Sequence, residues 1–209
     1  MTLTIYAATT NAGKLRDFAV AAADGGIVVE PLAKLREFAA PEEDQPTFEG
    51  NARLKAAYYS RFATGLVLAD DSGLEVGPLD GEPGVRSARY ALDAGFAGPR
   101  EATMDERNNL YLLERMNGIG QRAARYRCVL ALAQTGMVLF TAEGSVEGEI
   151  LTAPRGSGGF GYDPLFYLPE LGRTMAEISL EEKHILSHRG RAFRALLPQL
   201  GNLSRSAPA

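Results

Sequence analysis

Four short segments carry residue types that can do chemistry together. The first is Thr9-Thr10-Asn11-Ala12-Gly13-Lys14, set between an apolar run and a helical pattern. Backbone N–H groups at a helix start lack internal partners, and the helix dipole adds positive charge, so such a start attracts anions. Gly13 permits close backbone approach, and Lys14 supplies a point charge suited to phosphate. The segment lacks the first glycine of a Walker A loop and the Ser or Thr after its lysine, so it is not that motif. The second feature is a pair of acidic clusters, Glu42-Glu43-Asp44 and Asp70-Asp71. Mg²⁺ takes hard oxygen ligands, commonly one or two carboxylates plus substrate phosphates. Adjacent carboxylates repel each other, and a bound cation relieves that.

The third segment is Gly156-Ser157-Gly158-Gly159-Phe160-Gly161-Tyr162-Asp163-Pro164. Its glycines let a loop wrap closely around a ligand, and Phe160 or Tyr162 can stack on a base. The fourth runs from Glu181 to Ala192. There Lys183 and Arg189 are donors only, and neutral His188 offers a donor and an acceptor. Such a set suits an oxygen-rich ligand.

The elements around these segments alternate as in an α/β protein. Leu3 to Ala8 reads as a strand and Lys14 to Ala23 as a helix, closed by Asp24-Gly25-Gly26. Ile27 to Val29 reads as a second strand. Thr47 is positioned to cap a helix whose face recurs at Leu54, Tyr58 and Phe62 and which Gly65 ends. Leu66 to Ala69 reads as a strand running into Asp70-Asp71-Ser72-Gly73, a sequence with the composition of a tight turn. Open α/β sheets place ligands at that edge. Residues 77–100 read mostly as loop and Glu101 to Met116 as a helix. Arg122 to Ala133 and Met137 to Val146 flank Thr135-Gly136 as a hairpin, and apolar residues on both faces of Cys128 to Ala133 predict a central strand. A last helix places Phe193, Leu196, Leu197 and Leu200 toward the core, and residues 202–209 are expected to fray.

Composition bounds the protein class. The chain has 209 residues, 45% of them hydrophobic, which suffices for one domain of two lobes with a sizeable core. Its single cysteine, Cys128, lies in an apolar run and reads as a buried thiol. A net charge of -4 argues against a general nucleic-acid binder. The start has neither a basic n-region nor a long apolar stretch, so no signal peptide and no membrane partner are expected; the expected location is cytoplasmic.

Taken in order, the segments ATTNAGK, TFEGNARLKA, LADDSGLEV, GEPGVRSARYA, GSGGFGYDPLF and AEISLEEKHILSHRGRA span residues 7–192. This set resembles the non-canonical purine NTP pyrophosphatase family, which includes inosine triphosphate pyrophosphatase. The resemblance implies an elongated α/β fold, with a long twisted mixed sheet, flanking helices, and two lobes around an active-site cleft. It implies a homodimer and Mg²⁺ as cofactor. It implies hydrolysis of ITP, dITP or XTP to the monophosphate and pyrophosphate, which cleanses the nucleotide pool. Carried onto this chain, Thr9, Thr10, Asn11, Ala12, Gly13 and Lys14 would hold the triphosphate. Glu42 and Asp71 would bind the metal, with Asp71 also the proton acceptor, and Ser72 would contact substrate. Phe160 would stack on the purine, with Gly161, Tyr162 and Asp163 shaping its pocket. Lys183, His188 and Arg189 would read the base edge.

Many bacterial members resemble TFEEN where this chain has Thr47-Phe48-Glu49-Gly50-Asn51. Gly50 removes one carboxylate and leaves Glu49 as the remaining candidate there. In the acidic loop upstream, Glu43 is the alternative to Glu42. Two other readings stay open on the residues alone: a pyrophosphatase for modified pyrimidine nucleotides, and a nucleotide sensor without turnover. The donors Lys183, His188 and Arg189 favour a 6-oxopurine over the first. The presence of both Asp70 and Asp71 weighs against the second.

Overall fold

The computed structural model describes residues 2–23 and 25–203. Asp24, from the expected turn after the first helix, and residues 204–209, most of the expected tail, lie outside the described residues. Leu3–Ala7 forms β1, Ala12–Ala23 forms α1 and Ile27–Pro31 forms β2. Phe48–Tyr59 forms α2, and β3 runs over Leu66–Val76. After short turns of 3₁₀ helix come α3 at Tyr90–Asp93 and α4 at Met104–Arg115. Two long strands follow, β4 at Ala123–Gln134 and β5 at Met137–Ile150, then the short β6 at Phe166–Leu168 and β7 at Arg173–Thr174. The chain closes with α5 at Leu180–Leu186 and α6 at His188–Leu203, so residues 202 and 203 continue the helix rather than fray.

The strands make a seven-stranded sheet in the order β2-β1-β3-β4-β5-β6-β7. β1 pairs in parallel with β2 and β3, whereas β5, β6 and β7 pair antiparallel. The sheet is therefore mixed, as the resemblance implied. β4 lies between β3 and β5, and Cys128 to Ala133 are buried on both faces, as expected of a central strand. Thr135 and Gly136 turn β4 into β5 with φ of 49° and 87°, the left-handed pair that matches strand twist in a two-residue hairpin.

The chain divides into two compact units. One holds residues 1–71, 128–145 and 184–209; the other holds residues 72–127 and 146–183. In the first, Ile5, Leu68, Leu130 and Leu132 from the sheet pack with Phe18 of α1 and Phe193, Leu196 and Leu200 of α6. The Phe18 and Phe193 rings lie 6.4 Å apart, which fixes α1 beside α6. Burying each ring is worth about 1.5–3 kcal/mol. In the second unit, Leu74, Val76 and Val146 pack with Leu112 and Met116 of α4 and with Tyr162, Leu165 and Phe166. Among the described residues no helix is long and apolar enough to cross a membrane.

The strand expected over Leu66 to Ala69 runs on through Asp70-Asp71-Ser72-Gly73, so that β3 is eleven residues long. Buried cationic partners, described below, satisfy the two carboxylates inside the strand, and tertiary context overrides local turn composition. The second helix also differs from the expectation. Its buried face is Phe48, Asn51, Ala52, Lys55, Ala56 and Tyr59, while Leu54 and Tyr58 are half-buried and Phe62 is exposed. Phe62 instead stacks on Phe38 with ring centroids 4.4 Å apart.

Candidate active site

The loop from Thr9 to Lys14 leaves the carboxyl end of β1 and enters α1. Asn11 caps the helix: its Oδ1 accepts the N–H groups of Gly13 at 2.8 Å and Lys14 at 3.1 Å. The Thr9 hydroxyl in turn accepts the Asn11 N–H. Two of the helix-start amides expected to face an anion are thus engaged by a side chain. That leaves the Lys14 ammonium, the Thr9 and Thr10 hydroxyls and the amides of Thr10 and Ala12 as the donors that the loop can offer to an anion. Beside this loop lies a cavity of about 340 Å³, lined by Thr9, Thr10, Lys14, Glu43, Lys55 and Asp70 among others.

β3 presents its two aspartates to opposite sides, as neighbours on a strand must. Asp70 meets Lys14, with 2.8 Å between Oδ2 and Nζ. Asp71 meets α2: its Oδ2 accepts the Asn51 side-chain amide at 2.9 Å, and its Oδ1 lies 3.4 Å from Lys55 Nζ. The partners drive the two carboxyls apart. Burial alone would raise Asp70, but Lys14, Lys55 and Arg189 overcome it and hold Asp70 below the ordinary 3.8. Burial raises Asp71 above 3.8; Lys55 and the Asn51 amide oppose this, and the Glu43 and Asp70 charges add to it. Two adjacent acids with separated affinities for protons mark one as a fixed charge and the other as a base.

The acidic loop reaches this pair through Glu43. Lys55 Nζ donates to Glu43 Oε2 at 2.6 Å, so one buried lysine ties Glu43 to Asp71. Asn51 reinforces the tie, because its Oδ1 accepts the Gln45 N–H at 3.1 Å while its amide holds Asp71. Glu42 is exposed on the same loop. Thr47 caps α2 as expected, accepting the Gly50 N–H. Glu49 faces outward and pairs with Arg53 at 3.6 Å. A Cβ on Gly50 would lie 2.8 Å from Cβ of Gln45, so an acid here would displace the loop that carries Glu43. Among the described residues no three acids, histidines or cysteines gather as a metal cage. Glu43 and Asp71 offer only carboxylate oxygens, the donor type that Mg²⁺ takes, and Lys55 pairs with both.

The glycine-rich loop is fastened at several points within the second unit. Gly161 donates to Asp105 at 2.7 Å, and the Asn109 amide donates to the Gly161 carbonyl at 2.9 Å. The Tyr162 ring is buried, and its hydroxyl donates to the Ser87 carbonyl at 2.8 Å. Tyr162 is therefore an anchor of the loop. Phe160 remains half-buried, and Lys183 Nζ sits 5.1 Å from its ring centroid. Asp163 is buried and bonds to Lys183. Ser72, half-buried, follows Asp71 on β3.

Lys183 lies in the second compact unit, and His188 and Arg189 lie in the first. Ser187 separates α5 from α6, and Lys183 packs with Phe160 and Asp163. Arg189 in the first turn of α6 pairs with Asp17 of α1 at 3.4 Å, and both side chains are largely buried. Its charge also reaches Asp70. His188 is 3% exposed. Cys128 is buried as expected, and burial pushes its thiol up, so it is inert as a nucleophile.

Two buried polar residues, Lys55 and Asn51, and the half-buried Asp17 were not singled out by sequence. Asn51 and Lys55 stand four residues apart among buried apolar positions of α2, and Asp17 stands one turn after Lys14. Polar residues on an otherwise apolar face are the signal for such positions.

The Ham1 family model matches residues 5–199. A protein of Acidobacterium capsulatum, named dITP/XTP pyrophosphatase, is 59% identical over 201 residues, 96% of this chain and 99% of the relative. One of Thermus thermophilus with the same name is 53% identical over 198 residues, 92% of this chain and 89% of the relative. The structure of the Staphylococcus aureus Ham1 protein superposes with a TM-score of 0.79 at 39% identity, covering 96% of this chain and 99% of that one. On the match of family model, sequence and fold over nearly its whole length, this chain belongs to the Ham1 family.

Proposed function

We propose that the protein is a nucleoside triphosphate pyrophosphatase that hydrolyses ITP, dITP and XTP to the monophosphate and pyrophosphate, with Mg²⁺ as cofactor. The observation that carries this reading is the split aspartate pair of β3 beside the loop from Thr9 to Lys14. Family membership and the relatives named dITP/XTP pyrophosphatase support the same substrate class. Asp71 is the proton acceptor. Burial raises its pKa above the ordinary 3.8, which makes it a stronger base toward an attacking water. Lys55 and Asn51 hold that carboxylate in one orientation. Lys14, aligned by Asp70, stabilises the charge that develops on the leaving pyrophosphate. Asp71 and Glu42, or its neighbour Glu43 on the same loop, would hold Mg²⁺, which when bound neutralises triphosphate charge.

Phe160 stacks on the purine, and the Lys183 ammonium donates to the 6-oxo group. Arg189 and His188 act with it in recognising the base. Adenine carries a 6-amino donor at that place. A buried donor left unpaired costs roughly 1–3 kcal/mol, so each mismatch discriminates by about five- to two-hundredfold. Ser72 contacts substrate, and the working enzyme is a cytoplasmic homodimer.

The deciding experiment measures pyrophosphate release from ITP, XTP, GTP and ATP with Mg²⁺, for the wild type, Asp71→Asn and wild type with EDTA. Release from ITP and XTP, lost in the variant and with chelator, is the expected result. Release of orthophosphate would overturn the cleavage site, and no release from any purine by folded protein would overturn the function.

A further inference from the structure

Asp163 has no oxygen directed only at solvent or ligand. Its Oδ1 accepts the Tyr126 hydroxyl at 3.2 Å; its Oδ2 accepts Lys183 Nζ at 2.5 Å and the Phe160 N–H at 2.9 Å. The donors come from three places in the chain: β4, the glycine-rich loop and α5. The Tyr126 ring packs on Phe166 with centroids 4.4 Å apart, and Phe166 is fully buried. The hydroxyl is thus delivered from a rigid strand.

We infer that Tyr126 is a positioning residue for nucleobase recognition: its hydroxyl fixes the Asp163 carboxylate, which aligns the Phe160 ring and the Lys183 ammonium for a 6-oxopurine. The inference rests on the base-recognition reading above. Its physical basis is that the Lys183 and Phe160 donors share one carboxylate oxygen and leave the other to a third donor. The Tyr126 hydroxyl on that other oxygen holds the second end of the carboxylate and narrows its swing about the Cβ–Cγ bond. The ammonium over the ring then keeps one location, and a charge-assisted hydrogen bond to the 6-oxo group depends on that location to a fraction of an ångström. Asp163 acts inside the protein, through the two groups it holds.

The test compares Tyr126→Phe with wild type and with Phe160→Ala. The Phe variant keeps the ring against Phe166 and removes one hydroxyl. The expected result is a KM for ITP raised about three- to tenfold, with kcat within about twofold. The inhibition constant of pyrophosphate, which has no base, stays unchanged. A merely structural role would move all three quantities together, and that outcome overturns the inference. So does an unchanged KM in Tyr126→Phe when Phe160→Ala raises it. An unchanged KM in Phe160→Ala overturns the base-recognition reading itself, and the inference falls with it.

Discussion

Lys55 of α2 directs its ammonium at Asp71 of β3 across 3.4 Å, with both side chains nearly closed to solvent. The same ammonium donates to Glu43. One cation therefore stands between two carboxylates, each needed in the charged state. Its own pKa reflects this: burial alone would lower it, but Asp71, Asp70 and Glu43 raise it above 10.5. Lys55→Met removes the charge and keeps most of the stem. Asp71 then loses the larger of the effects that oppose its rise, so its pKa climbs further. The base must be ionised to work, and the acid limb of the kcat/KM profile moves to higher pH. Activity at neutral pH falls, by at most the roughly 10²–10⁴-fold that general base catalysis is worth. An unmoved acid limb in the variant would remove Asp71 from the proton-acceptor role.

Asp70 gives a pH effect of the opposite sign. Its folded-state pKa lies below the ordinary 3.8, so its ionised form stabilises the fold. That contribution is complete above the unfolded value and is lost as pH falls through the folded one. Asp70→Asn removes it at every pH. The variant should be less stable than wild type at pH 7 by roughly 1–3 kcal/mol, because Lys14 loses its partner. Lys14 remains partly exposed and can take up water, which keeps the loss moderate. The gap narrows as pH falls below the ordinary 3.8 and closes only below the lower folded-state value. Urea midpoints at pH 7 and at pH 3 check this, and a gap that stays constant between them would refute it.

β1, β2, β4, β5, their hairpin and the core face of α6 were legible in the sequence because apolar spacing determines them, whereas β6 and β7, of three and two residues, are too short to show a pattern. Leu196 and Leu200 are buried wherever the helix packs. The interior of the site was less legible. Asp70-Asp71-Ser72-Gly73 has turn composition, and only Lys14 and Lys55, distant in sequence, make a strand tolerable there. The partners of Lys183 and Arg189, Asp163 and Asp17, lie 20 and 172 residues away in the chain, so their spacing of six residues does not reveal them. Lys55 and Asn51 look like ordinary helix-surface residues until the α2 face is known. Polar groups buried by long-range pairing leave no periodic trace.

Gly159 tests how tightly the base loop is built. Its φ is +76°, a region that side chains rarely adopt, and an added Cβ would collide with the Asp163 carboxylate. The backbone term alone costs about 1–2 kcal/mol. Gly159→Ala must either shift the loop or turn Asp163 away from Lys183 and the Phe160 amide. The expected outcome is a raised KM for ITP and a melting temperature lower by several degrees. Steady-state kinetics and calorimetry on one preparation check both. A variant with wild-type KM would show that Phe160 and Lys183 keep their places without this carboxylate geometry.

The start of α5, which carries Lys183, depends on Glu182. Its carboxylate accepts the Ser179 N–H at 2.8 Å, and the Ser179 hydroxyl accepts the Glu182 N–H at 3.1 Å, a reciprocal cap. Arg173 adds an ion pair at 2.5 Å. The Arg173 hydrogen bond, then the Ser179 amide, lowers the Glu182 pKa from 4.5 to about 2. The sign follows from a depressed acid: the stabilisation is present above 4.5 and is lost as pH falls toward about 2. Glu182→Gln keeps an acceptor but not the charge. At pH 7 it should melt below wild type, and the difference should close between pH 4.5 and about 2. Melting curves of the two proteins across that range decide the matter. A difference that persists at the acid end would mean that the side chain acts through packing, since a lost charge has no effect where the wild-type carboxyl is itself protonated.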